Sequence, residues 1–140
     1  MVAPVDQSSF AELVVRFQNM LGQQEAALNS IAVQSLTDAG PIALDAAING
    51  GARVLIGNGN STASISVTLP ATAPVGTIFC PRQTGAGPLK FVVVGTSTLV
   101  NRNGHNGTAG QWSGVCLTCE ANDGGQSARW VLEGDTAVVS

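Results

Sequence analysis

Ser64-Ile-Ser-Val-Thr-Leu69 decides the fold class. Side chains alternate across a β-strand, so Ile65, Val67 and Leu69 share one face while Ser64, Ser66 and Thr68 share the other. Pro70 and Pro74 stop the ladder that follows, because neither can donate an N–H. Upstream, Asn49-Gly-Gly51 and Asn58-Gly-Asn60 are turn signals flanking Ala52-Arg-Val-Leu-Ile56, which reads as a short buried strand. Downstream, the same alternation predicts strands at Val75–Phe79, Leu89–Val94, Thr98–Val100, Trp112–Cys119 and Ala128–Leu132. Pro81 is expected to hold one strand end near a sheet edge, and Asn122-Asp-Gly-Gly125 to form the last hairpin turn. About seven short strands at intervals of roughly 8–15 residues argue for a β-sandwich or barrel over residues 35–140. No regular repeat of about 20–50 residues is visible, which argues against a solenoid.

The chain before this region follows a different period. Ser9-Phe-Ala-Glu12 matches a capping box, with Ser9 accepting from first-turn N–H groups and Glu12 reaching back. Phe10, Leu13, Phe17, Met20, Gln24, Ala27 and Ile31 then fall at the a and d positions of a heptad. Val14, Leu21 and Leu28 widen the apolar face, and Gly22 marks a possible kink. Such a helix cannot bury its face alone. It either lies on its own β domain or pairs with copies of itself, and Gln24 at an a position favours self-association because a polar seam residue sets register. Residues 1–34 therefore read as an arm and oligomerisation helix.

Composition excludes several functions. Hydrophobic residues make up 44% of the chain and charged residues 11%, against roughly 25% charged in ordinary soluble proteins. A surface so poor in charge suggests cover by partners. The net charge is −3, and the six cations (Arg16, Arg53, Arg82, Lys90, Arg102 and Arg129) stand singly in the sequence. Nucleic-acid binding needs clustered cations, so no nucleic-acid partner is expected. No apolar run approaches the roughly 20 residues that span a bilayer, and Met1-Val-Ala-Pro-Val-Asp6 lacks the basic start and apolar stretch of a secretory signal. Assembly in the cytoplasm, with no membrane partner, is the expectation.

Candidate chemistry is sparse. Three cysteines cannot all pair internally. The CxxC spacing Cys116-Leu-Thr-Cys119 falls on a predicted strand, where residues three apart face opposite ways, so small buried apolar residues are expected there. His105 is the only histidine and sits in Asn103-Gly-His-Asn-Gly107, which reads as an exposed or subunit-contacting turn. The closest carboxylate pairs, Glu120 with Asp123 and Glu133 with Asp135, belong to strand ends and turns. Gly85-Ala-Gly87 precedes Pro88 and a strand, whereas a phosphate loop opens a helix. Trp112 and Trp130 lie in strand patterns and are expected in the core or a subunit contact. No catalytic residue, cofactor or metal is expected.

Six segments arrive in fixed order: Val67-Thr-Leu-Pro70, Ala73-Pro-Val-Gly-Thr77, Arg82-Gln-Thr-Gly-Ala-Gly87, Asn101-Arg-Asn-Gly-His105, Thr108-Ala-Gly-Gln-Trp112 and Trp130-Val-Leu-Glu-Gly-Asp135. That order, over about half the chain, resembles a β module of bacteriophage virion proteins: tail fibres, tailspikes, head fibres and capsid decoration proteins. The resemblance implies an intertwined homotrimer with a preceding helix. Within that group the shortness of the chain, its low charge and the lack of a catalytic set point to a capsid decoration (cement) protein that binds the major capsid protein or another virion protein on the capsid exterior. A head- or tail-fibre module that attaches to a host receptor or glycan is the alternative, with Asn58–Thr62 and Gly104–Thr108 as its specificity loops.

Overall fold

The computed structural model describes residues 7–28, 30–37 and 40–140, with side chains from residue 10 to 21 in the helix and from residue 30 onward. The protein is mainly β, with an N-terminal helix and two sheets. It divides into two compact units, Met1–Ile31 and Ala32–Ser140.

The first unit carries α1, Gln7–Leu28. It begins two residues before Ser9, so Ser9 is inside the helix and does not cap it. Glu12 pairs with Arg16 at 2.8 Å, one helical turn on, the spacing at which opposite charges meet. Helical backbone runs unbroken through Gly22. Ile31 lies beyond the end of α1, and the carbonyl of Ala32, just before β1, accepts from the Arg53 N–H.

The second unit begins with β1 (Val33–Leu36), ahead of the expected boundary at residue 35, and continues through β2 (Ile42–Ala43), α2 (Ala46–Asn49), β3 (Arg53–Ile56), β4 (Ile65–Thr68), β5 (Ile78–Gln83) and β6 (Leu89–Val92). There follow β7 (Thr98–Val100), β8 (Gly107–Thr108), β9 (Val115–Asp123), β10 (Ser127–Gly134) and β11 (Thr136–Ala137). One sheet has the order β1-β3-β5-β9-β10-β7, and the other β11-β8-β6-β4-β2. From β1 to β8 the chain alternates between them.

That alternation makes β1, β3 and β5 stack in parallel, and β2, β4 and β6 likewise. Three successive passes thus wind as a short parallel coil, an arrangement the absence of a repeat had argued against. The passes are unequal: β1, β3 and β5 start at residues 33, 53 and 78, so stacking leaves no constant sequence period. The β9–β10 hairpin then adds an antiparallel pair around the Asn122–Gly125 turn.

Ile65 and Val67 point inward on β4, while Ser66 and Thr68 do not. They join Val54, Ile56, Phe79, Leu89, Leu117, Trp130 and Leu132 in one hydrophobic cluster drawn from both sheets. Trp130 stacks on Phe79, ring centres 5.2 Å apart, and donates its indole N–H to the Pro70 carbonyl. Pro81 lies inside the central strand β5 rather than at an edge. Its neighbours Cys80 and Thr84 donate to β3-side carbonyls while Gln83 donates to Ser113, so the missing proline N–H faces β9. There the ladder lapses between Phe79↔Leu117 and Arg82↔Gly114. A proline is tolerated in that gap.

The gap also holds a disulfide. Cys80 bonds Cys116, which corrects the expectation that Cys116 is merely a small buried residue. The two cysteines are distant in sequence but come opposite each other when β5 pairs with β9. Cys116 faces outward and Cys119 inward on the same strand. Burial pushes the Cys119 thiol up from its ordinary pKa, against backbone hydrogen bonding at Ala121 and Arg129.

Candidate functional site

Trp112 is the residue whose placement departs most from expectation. Strand β9 starts only at Val115, and the preceding Gly110–Gly114 segment is a turn. Trp112 adopts φ +71°, the only non-glycine among the described residues with positive φ, and its side chain is 61% exposed. Left-handed backbone costs an ordinary residue about 1–2 kcal/mol. The surroundings hold it there. Its N–H donates to the Gln83 carbonyl at 2.6 Å, its own carbonyl accepts from Arg82 Nη1 at 3.0 Å, and the neighbouring Gln111 amide donates to the Thr84 carbonyl at 3.1 Å.

Beside the indole runs an open groove of about 370 Å³. Leu36 and Leu55 give it apolar surface, and Ser35, Thr37 and Thr84 give it hydroxyls. The rest of its lining is backbone at Gly57, Gly59 and Gly85. Close packing requires two of them: a Cβ on Gly57 would fall 2.9 Å from the Gly85 nitrogen and one on Gly85 2.8 Å from the Gly59 carbonyl oxygen, while Gly59 has φ +69°. The Ala86 N–H donates to that same oxygen at 3.0 Å.

A buried polar network anchors the floor of this region. Thr108 Oγ1 donates to Gln83 Oε1 at 2.6 Å and accepts from the Leu89 N–H at 2.9 Å. Gln83 Nε2 donates to the Gly85 carbonyl. Gln83 belongs to one sheet and Thr108 and Leu89 to the other, so the network ties the sheets together next to the Gly85 loop.

The expected specificity loops separate. Asn58–Thr62 borders the groove through Gly59, whereas Gly104–Thr108 runs into the buried strand β8. His105 is half-buried, with Nδ1 2.8 Å from Thr136 Oγ1 and its N–H on the Asn101 carboxamide oxygen. Ser113 donates to Asp135 in a separate contact. Arg53 and Arg82, single in the sequence, come together over Gly114, where each places a guanidinium nitrogen about 3 Å from a Cβ built there.

The helix presents the other candidate surface. Phe10, Leu13, Phe17 and Met20 are exposed, as are Val14 and Leu21 beside them. The side chains of Gln24 and Ala27 lie outside the described residues, and Ile31 is exposed beyond the helix end. Among the described residues, no group of three or more His, Cys, Asp or Glu could hold a metal ion, and no helix is long and apolar enough to cross a membrane.

No family model, curated protein or solved structure matches the chain. Of the two places expected for Trp112, the core is not where it lies; the turn that carries it is signalled by Gly110 and Gly114 on either side.

Proposed function

We propose that this chain is a structural subunit of a bacteriophage particle, a homotrimeric capsid decoration (cement) protein on the capsid exterior. In this reading the two sheets pack as a β-sandwich, and the trimer binds the major capsid protein or another virion protein. One observation carries it: the apolar face of α1, with Phe10, Leu13, Phe17 and Met20 all exposed. Burying such a side chain is worth about 1.5–3 kcal/mol, which supports association of copies along this face; three is the number that the family resemblance implies. The disulfide supports an exterior location, because disulfides persist in oxidising surroundings and not in a reducing cytosol.

The mechanism is mechanical. Surface buried across capsid subunits stabilises the assembled state by mass action, without turnover. The test is twofold. Light scattering is expected to give a trimer that falls apart when Phe17 and Met20 are both replaced by Asp; an unchanged mass would sink the helical trimer. Purified particles are expected to carry hundreds of copies and to lose resistance to heat when the protein is absent.

A second reading, a head- or tail-fibre module that attaches to a host receptor or glycan, is favoured by the exposed Trp112. A few dozen copies or fewer per particle would select it over decoration.

A further inference from the structure

We infer that the groove beside Trp112 is a binding site for a neutral saccharide, with the Trp112 indole as stacking platform. The inference gives the second reading its site and ligand class, and it stands equally for a decoration protein that carries an adhesive surface.

Three independent observations converge on it. The first is the contrast between the two tryptophans: Trp130 is fully buried, while Trp112 leaves 61% of its surface to solvent. An exposed indole offers a broad apolar face, and a pyranose ring has a C–H face of matching character with hydroxyls around its edge. The second is backbone. Trp112 is held at φ +71° by three hydrogen bonds to β5 and the turn after it. Unfavourable backbone kept by its surroundings is concentrated at ligand sites, where it aims a side chain in advance. A platform already fixed loses little freedom when a ligand arrives.

The third is the chemistry of the groove. Its side chains carry no charge: Leu36 and Leu55 are apolar, and Ser35, Thr37 and Thr84 offer hydroxyls that both donate and accept. Gly59 has open space where a Cβ would stand, so backbone is open to close approach there. A saccharide has the same mixture of apolar faces and bidirectional hydroxyls. No cation is among the lining residues, and the neighbouring Arg82 guanidinium is engaged with the Trp112 carbonyl. The volume of about 370 Å³ sits at the small end of the roughly 300–1,000 Å³ usual for ligand pockets, which suits a short stretch of one glycan chain.

The two tryptophans make the test direct, because Trp130 is shielded and a saccharide in the groove perturbs only Trp112. An array of neutral and acidic oligosaccharides, probed with the intact protein, selects a neutral trisaccharide, which is then titrated in solution by tryptophan fluorescence and calorimetry. The expected result is a saturable change in emission and reduced quenching by acrylamide. Trp112→Gly accepts the positive φ without strain, so the fold should survive, as checked by circular dichroism. It should weaken binding at least about tenfold, or about 1.4 kcal/mol, while Trp112→Phe keeps part of the affinity. Failure of every neutral glycan on the array, preference for acidic glycans only, or equal binding by Trp112→Gly would each overturn the inference. None of these outcomes bears on trimer mass or on copies per particle, so failure here is distinguishable from failure of either functional reading.

Discussion

Phe17 and Phe79 are the same side chain in two situations. Phe79 in β5 is fully buried against Trp130, and Phe17 on α1 is 55% exposed. The β unit has closed its apolar surface into one cluster fed by both sheets, whereas a single helix taken by itself cannot close its apolar row. Apolar surface that a chain does not bury by itself remains available for association. In the proposed reading the contrast separates two jobs: the β unit supplies stability and holds the groove, and the helix supplies a surface for further copies. Substitutions that act on one job and spare the other put this division at risk of failure.

The largest effect belongs to the core. Trp130→Ala removes a fully buried ring, its stacking on Phe79 and its hydrogen bond to Pro70. A loss of about 3–5 kcal/mol is expected, read as a lower midpoint in urea with the helical signal at 222 nm followed alongside. A loss under about 1 kcal/mol would mean that the β unit is not stabilised by this cluster. Next comes the disulfide: removing it by Cys80→Ala with Cys116→Ala should cost about 2–4 kcal/mol for a loop of this length. Thiol titration in guanidinium should find one reactive thiol per chain before reduction, that of Cys119, and three afterwards. Three before reduction would show that the pairing does not form.

How far these features were legible depends on whether their cause is local. The inward set of β4 follows from alternation in six consecutive residues, so it could be read directly. Strand β7 at Thr98–Val100 was legible for the same reason. The winding of β1, β3 and β5 was not, since parallel neighbours are joined through the other sheet by loops of unequal length. Pro81 looked like an edge residue because a sequence does not show where a ladder lapses. The Cys80–Cys116 bond needed the β5–β9 register. At the groove, the glycine turns were visible, but the exposure of Trp112 comes from Arg82 and Gln83 holding a turn that lies almost thirty residues away in the chain. Of the helix seam, the periodicity was plain; its end was not, because Ile31 keeps the apolar spacing past the last helical residue.

A smaller effect probes the link between core and groove. Thr108→Val keeps the shape but leaves Gln83 Oε1 and the Leu89 N–H without their partner. An unsatisfied buried group costs about 1–3 kcal/mol, and that loss is expected in denaturant. Because Gln83 also binds the Gly85 carbonyl and accepts the Trp112 N–H, acrylamide quenching of Trp112 should change as well. A stability loss with unchanged quenching would show that the core and the groove are independent.

The smallest effect lies on the helix. Glu12 and Arg16 form the one salt bridge among the described residues, and both ends are largely exposed. Water and salt screen such a pair, so Glu12→Gln should change helix stability by about 0.5 kcal/mol at most, and by less at high salt. The trimer mass should not move at all, because the proposed association rests on the apolar row and not on this pair. Light scattering at low and high salt decides the matter. If Glu12→Gln dissociates the protein, or if salt alone does so, charge and not apolar burial joins the copies, and the contrast between the closed β core and the open helical face loses its meaning.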